Sequence, residues 1–405
     1  KTPALPQGAP LYLYPVFHAL SRIRKGQLDL LLADGRRWQF TGSESGVHAE
    51  MQLQRPLRLL RRLLTRGALG LVEGFTAGDW STTRLSDLLH LLSANEQHFG
   101  GLSSGRKALQ LLDRLQHRLR RNSRRGSRRN IGYHYDLGND FYRAWLDQTM
   151  SYSCALFAHP DERLEQAQQR KYQRLLHELD ARPGQHVLEI GCGWGGFALQ
   201  AARQGVRVTG ITLSRQQLDF AKRRVRQEGL EHLIELRMQD YRDLSETFDH
   251  IVSIEMFEAV GEDYWDDYFR VLRQCLRPAG RAALQVITID DAYFEQYRAG
   301  SDFIQKYIFP GGLLPSPEVF REYSDRAGLA TLDRAFFADH YASTLRRWHQ
   351  HLQAGQHETR VRRMGERFLR MWHYYLAYCE AGFRSGRIDV MQVVLSAAGS
   401  GRSAT

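Results

Sequence analysis

Gln185-His-Val-Leu-Glu-Ile190, followed at once by Gly191-Cys-Gly-Trp-Gly-Gly196 and by Phe197-Ala-Leu-Gln-Ala-Ala202, decides the fold. A short β-rich run, a G-x-G-x-x-G loop and a helix start make the junction at which nucleotide-type ligands bind, because the glycines let the backbone turn sharply and approach the ligand. A dinucleotide site usually adds an acid about 20 residues on, at the end of the second strand, for a ribose hydroxyl. Here that strand, Val206-Arg-Val-Thr-Gly-Ile211, runs on into Thr212-Leu-Ser214 without one. Glu189 before the loop and Asp240 in Met238-Gln-Asp-Tyr241 suit a small cationic nucleoside better than a pyrophosphate. The pattern favours S-adenosylmethionine over NAD.

Outward from this loop the chain alternates short β-rich runs with helical ones: Ile234–Arg237, Asp249–Ile254, Arg281–Ile287 and, after the aromatic helical stretch Phe368–Tyr378, Val390–Leu395. That succession implies βαβ units and a mainly parallel sheet, an α/β class. The first hundred residues mix strand-like runs, such as Leu28–Ala33 before the turn Asp34-Gly35, with leucine-rich helical stretches, and read as a smaller α+β domain. Within them, 55–66 sets leucines at 57, 60, 63 and 64 against arginines at 55, 58, 61, 62 and 66. This is either a helix packed on its own domain with a solvated basic face or one that lies on an anionic bilayer. Residues 114–129 carry arginines and no acid, with Ser123, Gly126 and Ser127 interrupting any helix, and read as an exposed connector. The expected domains are 1–112, a linker 113–129, a catalytic domain 130–396 and a tail 397–405.

The chain has 405 residues, 42% hydrophobic and 25% charged, an ordinary globular mixture that excludes disorder and fibrous classes. A net charge of +11 favours anionic partners: nucleic acid, acidic headgroups or anionic substrates. Cys154, Cys192, Cys275 and Cys379 are widely spaced without a C-x-x-C pair, so no metal site is expected and a reducing cytoplasm fits. No secretory signal or spanning segment is seen, which makes any membrane contact peripheral, on the inner face.

Five matches carry a family resemblance: Asn130-Ile-Gly-Tyr-His-Tyr-Asp-Leu-Gly-Asn-Asp-Phe-Tyr142, Tyr152-Ser-Cys-Ala155, Glu189–Gly196, Gln239-Asp-Tyr-Arg-Asp243 and Lys306-Tyr-Ile-Phe-Pro-Gly311. Over about residues 130–395 the chain resembles the cyclopropane-fatty-acyl-phospholipid synthase and mycolic-acid methyltransferase family. The resemblance implies a class I methyltransferase, Rossmann-like parallel-sheet domain, S-adenosylmethionine as donor, and as acceptor the cis double bond of an acyl chain in membrane phospholipid. It also implies a homodimer, and it places a smaller N-terminal domain before residue 120, as in phospholipid-acting members. Donor binding falls to Tyr152, Ser153, Gly191, Gly193, Thr212, Gln217, Gln239 and Asp240, beside Glu189. The family's bicarbonate base is held by groups matched here by Cys154, Glu258, Ile287 and Tyr341.

Three departures bear on that base. The family's L-H-T-I reads Leu284-Gln-Val-Ile287, which puts Gln285 where a histidine belongs and makes bicarbonate doubtful. M-F-E-H-V-G reads Met256-Phe-Glu-Ala-Val-Gly261, and the small residue three positions before the site glutamate is Glu255. If the segment opens a helix, Glu255 and Glu258 share a face. Glu255 then supplies in the chain the carboxylate that bicarbonate supplies elsewhere, with Gln285 and Tyr341 donating to it; the alternative is an acid that caps a helix or pairs with an arginine. Cyclopropane formation is the expected outcome, with methyl-branched or methylene products as the alternative suggested by Gln285 and Glu255. Aromatic faces that stabilise a cation are sought among Tyr133, Tyr135, Phe257, Trp348, Trp372 and Tyr375. A nucleic-acid methyltransferase is the remote reading; it lacks a P-C or N-P-P-Y signature, so no nucleic-acid partner is expected.

Overall fold

The structure, a computed structural model, describes residues 8–99, Gly126, Asn130, 137–300 and 302–397. The arginine-rich linker apart from Gly126, the tail beyond Ala397, and Tyr133 and Tyr135 lie outside the described residues.

Two sheets organise the described residues. The first has the order β2-β1-β3-β4, built from β1 (Lys25–Leu32), β2 (Arg37–Thr41), β3 (Glu44–Leu53) and β4 (Trp80–Ser81). The Asp34-Gly35 turn joins β1 to its antiparallel neighbour β2, and β3 returns parallel to β1 on the other side. Four helices accompany it: α1 (Tyr14–Leu20), α2 (Pro56–Arg66), α3 (Ala68–Thr76) and α4 (Leu85–Ala94). Helix α2 forms where the leucine and arginine spacing places it, starting at Pro56 as the first helical residue, where a missing N–H costs nothing.

The second sheet has seven strands in the order β10-β11-β9-β8-β5-β6-β7. Strands β5 (His186–Ile190), β6 (Arg207–Thr212), β7 (Ile234–Met238), β8 (Phe248–Ile254) and β9 (Leu276–Ile289) run parallel, and β11 (Ile388–Ala397) lies antiparallel between β9 and β10 (Leu329–Phe336). The central strands are buried along nearly their whole length, as expected of a parallel sheet covered on both faces. Strand β10 has no counterpart among the runs read from the sequence: it is an edge strand, exposed along most of its length, so it needs no apolar run to form. This sheet is a doubly wound arrangement, with ligand loops at the carboxyl ends of its parallel strands.

The long helix Glu366–Arg384 joins the two halves. Tyr374 packs against Phe75 and Trp80 with ring centroids 5.6 and 6.5 Å apart. Arg370 donates to the Phe75 carbonyl at 2.7 Å, Arg384 meets Asp87 at 2.8 Å, and the Tyr307 hydroxyl donates to Glu73 at 2.8 Å. One hydrophobic core therefore runs from α3 and α4 into the aromatic side of the catalytic half.

Candidate active site

Strand β5 delivers Glu189 and then the glycine loop. Gly191 sits at φ +86°, and a Cβ there would lie 2.9 Å from Met256 Cγ, so only glycine lets the loop pass the strand β8 end so closely. Past the loop, a cavity of about 630 Å³ is lined by Tyr152, Ser153, Glu189, Gly191, Gly193, Thr212, Gln217 and Gln239, and continues past Glu255, Glu258, Ile287 and Tyr341. The Thr212 hydroxyl donates to Gln217 at 3.1 Å, and Ser214 caps the following helix by accepting the Gln217 N–H. Asp240 stands apart from the other donor-site candidates: it does not line the cavity, and its carboxylate is held by the Arg242 guanidinium at 2.7 and 2.8 Å.

Glu255 is the centre of the arrangement. It is not on a helix: it follows β8 directly with φ +50°, and Glu258 lies in a separate single turn, Phe257–Ala259. The expected shared helical face is thus replaced by a tight left-handed corner that turns Glu255 back toward the sheet. Its carboxylate accepts the Cys154 N–H at 2.8 Å, the Gln285 side-chain amide at 2.7 Å and the Tyr341 hydroxyl at 2.5 Å. Among the described residues Glu255 neither caps a helix nor pairs with an arginine. Burial raises its carboxyl pKa, and these three donors oppose that rise. Two of the donors that the resemblance would direct at bicarbonate, the Cys154 N–H and the Tyr341 hydroxyl, together with Gln285 at the family histidine's place, therefore converge on a side chain of the chain itself, while the Ile287 N–H goes to Glu258. The residues present do not fit a separate bicarbonate ion there.

Glu258 accepts the Ile287 N–H at 2.5 Å through Oε1, while its buried Oε2 has no hydrogen-bond partner. Burial, reinforced by the neighbouring Glu255, pushes its pKa up to about 8. Like charges in one site drive the pair apart, leaving the charge on the triply donated Glu255 and the proton on Glu258. The Tyr341 phenol is pushed well above its usual range by burial and by Glu255, so it remains a donor. Burial likewise pushes the Cys154 thiol up, so that residue serves through its backbone N–H.

Several groups escaped sequence reasoning. Gln392 on β11 lies opposite Gln285 and donates to its side-chain oxygen at 2.8 Å, and Arg174 in turn donates to Gln392 at 2.9 Å. Lys171 is fully buried and donates to Ser153 Oγ at 2.6 Å and Gln168 Oε1 at 2.7 Å; burial lowers its pKa to about 8. A lone glutamine in the apolar run Val390–Leu395 and a lysine in line with Ala167 and Leu175 on a helix's apolar face were the available signals. Of the aromatic candidates described, Tyr375 lines the cavity, with its hydroxyl 2.7 Å from that of Tyr152; Phe257, Trp348 and Trp372 are buried core instead.

A donor carrying a sulfonium and hydroxyls fits this cavity on two observations: the cradle at Gly191 that a side chain would fill, and the buried Glu189 Oε2 that no protein group satisfies. A doubly wound sheet with such a loop and a buried carboxylate cluster defines a class I S-adenosylmethionine-dependent methyltransferase. The model of the family "Mycolic acid cyclopropane synthetase" matches residues 122–393, and the chain belongs to that family. It is 39% identical to a tuberculostearic acid methyltransferase of Mycobacterium tuberculosis over 91% of this chain and 87% of that one. It is 37% identical to the cyclopropane-fatty-acyl-phospholipid synthase of Escherichia coli K12 over 86% and 88%. A solved cyclopropane synthase of M. tuberculosis superposes with a TM-score of 0.62 at 33% identity, covering 66% of this chain and 97% of its own. A mycolic acid cyclopropane synthase complexed with SAH gives 0.62 at 32% identity, over 66% and 97%.

Proposed function

We propose that the enzyme alkylates the cis double bond of unsaturated acyl chains in membrane phospholipids, with Glu255 as its base. The observation that carries this is the convergence of the Cys154 N–H, Gln285 and Tyr341 on the Glu255 carboxylate, in a cavity that runs from the glycine loop into apolar walls. S-adenosylmethionine, when bound, supplies an electrophilic methyl group. Glu189, Gly191, Gly193, Thr212, Gln217 and Gln239 with Tyr152 and Ser153 would hold it. The apolar walls keep water from the electron-deficient acyl carbon left when the alkene π pair bonds to the methyl carbon and the sulfur–methyl pair departs with sulfur, and aromatic faces such as Tyr375 and Tyr152 stabilise positive charge there. Glu255 then accepts a proton. Taken from the transferred methyl, that proton leaves a C–H pair that closes a cyclopropane; taken from a neighbouring acyl carbon, it leaves a methyl-branched alkene; and taken from the methyl after a hydride has shifted from the methyl-bearing carbon to the electron-deficient one, it leaves a methylene branch.

The second outcome has support of its own in Gln285 and Glu255 standing where the family's histidine and small residue belong, and in the relative named as a tuberculostearic acid methyltransferase. The domain division at 112 and 129, and peripheral docking on anionic lipid through α2, complete the proposal. Among the described residues no helix is long and apolar enough to cross a membrane. Incubation with S-adenosylmethionine and vesicles of cis-monounsaturated phosphatidylglycerol, followed by mass spectrometry and proton NMR of the released acids, tests it. A gain of one CH2 is expected, with upfield ring protons or vinylic protons distinguishing the two products; no gain would reject the acceptor.

A further inference from the structure

The cavity does not end at the carboxylates. It continues into the N-terminal half, where Val16, Leu59, Leu63, Leu69, Val72 and Leu92 line it. These residues precede the family-model match, which begins at 122, so they are an addition of this chain's N-terminal part to the matched region. Helix α2 is two-faced. Leu59 and Leu63 face the cavity, whereas Leu57 and Leu64 are 60% and 49% exposed on the side of the helix that also carries the exposed Arg58 and Arg61. The inner arginines are committed to the fold: Arg62 pairs with Asp79 at 2.8 Å and Arg66 with Glu73 at 2.9 Å. Leu11, 82% exposed, sits in the short turn packed beside α2. At the corner between α2 and α3, Ala68 both lines the cavity and is exposed.

Taken with the acyl-acceptor reading, on which this rests, we infer that the N-terminal helices form the outer half of the acyl channel. The substrate chain leaves the bilayer at the α2–α3 corner, and its segment between the ester and the double bond lies along α1, α2, α3 and α4. Exposed leucines beside exposed arginines are the surface that meets acyl tails and anionic headgroups at the mouth of such a channel. The double bond then lies at Glu255, and the terminal methyl end extends past it into the catalytic half. The competing entrance is the polar side of the same cavity, where Arg387 pairs with Glu96.

The test uses the full chain and phosphatidylglycerol vesicles carrying a diazirine either between the ester and the cis double bond or at the terminal methyl. Photolabelling from the first position is expected within 59–72 and 89–92, competed by unlabelled lipid, and from the second position outside residues 8–99. A first-position label confined to the catalytic half, or a terminal label in the N-terminal helices, overturns the inference while product formation keeps the acceptor reading intact. Absence of both label and product overturns both. As a second arm, Ala68→Trp places a bulky ring at an exposed position of the mouth. Turnover on vesicles should fall at least tenfold with S-adenosylhomocysteine affinity unchanged; undiminished turnover contradicts the channel.

Discussion

Gln285 donates its side-chain amide to the Glu255 carboxylate at 2.7 Å while its main-chain carbonyl accepts the Glu255 peptide N–H, also at 2.7 Å. Each residue thereby orients the other between the end of β8 and the interior of β9. The left-handed backbone of Glu255, unfavourable for a non-glycine residue by about 1–2 kcal/mol, persists because these bonds over-determine it.

If Glu255 is the base, Glu255→Ala lowers turnover on vesicles by about 10²–10⁴-fold, the range of general-base contributions, with S-adenosylhomocysteine affinity little changed. The space vacated faces three hydrogen-bond donors, so added bicarbonate or formate restores part of the activity. Full turnover in the variant would remove Glu255 from the chemistry.

Gln392 acts on Glu255 only through Gln285. Gln392→Leu leaves the buried Gln285 side-chain oxygen without its donor, which costs about 1–3 kcal/mol of stability in a denaturant titration. The same change frees Gln285 to turn, so kcat should fall several-fold at nearly constant KM. An unaltered kcat with the stability loss present would mean that the glutamine pair serves the fold alone.

Glu258 gives a pH signature with a definite sign. Its pKa is raised from 4.5 to about 8 in the folded chain, so between those values the folded state holds a proton that the unfolded state has released. Stability falls as pH rises wherever the native state binds more protons. The wild type therefore loses stability relative to Glu258→Gln from about pH 4.5 up to about pH 8, and levels off above. Denaturant midpoints of both proteins at pH 5 and pH 8 measure this; parallel pH dependences would show that Glu258 is ionised in the fold.

Arg58 and Arg61 are exposed on α2, and each basic residue near an anionic surface contributes about 1 kcal/mol. Replacing both with glutamate should reduce flotation with phosphatidylglycerol vesicles by well over tenfold at low salt, and should leave flotation with neutral phosphatidylcholine vesicles unchanged. Equal flotation of wild type and variant on anionic vesicles would place membrane contact elsewhere.

The strand that carries the glycine loop was legible because a parallel strand buried on both faces is mostly apolar, as Val187, Leu188 and Ile190 are, with the buried Glu189 as its one acid. β10 was not, because exposure relaxes that demand. The carboxylate pair was legible as a departure from the family's pattern, but its geometry was not: helical spacing suggested a shared face, whereas a positive φ at Glu255 does the work of aiming. Gln392 lies 107 residues from the partner it holds, and only the register of β11 on β9 brings the two together. Such pairings are properties of the sheet, which no local spacing encodes.

In the helix Glu366–Arg384, Tyr374 leans on Phe75 and Trp80, while the next residue, Tyr375, reaches the Tyr152 hydroxyl beside the donor loop. Consecutive helical residues point about 100° apart, so one rigid rod touches the N-terminal half through Tyr374 and the Tyr152 side of the cavity through Tyr375. The two halves are consequently not interchangeable cassettes. A foreign N-terminal half grafted onto this enzyme would have to reproduce the seat of Tyr374, or it would twist the rod and carry Tyr375 away from its partner.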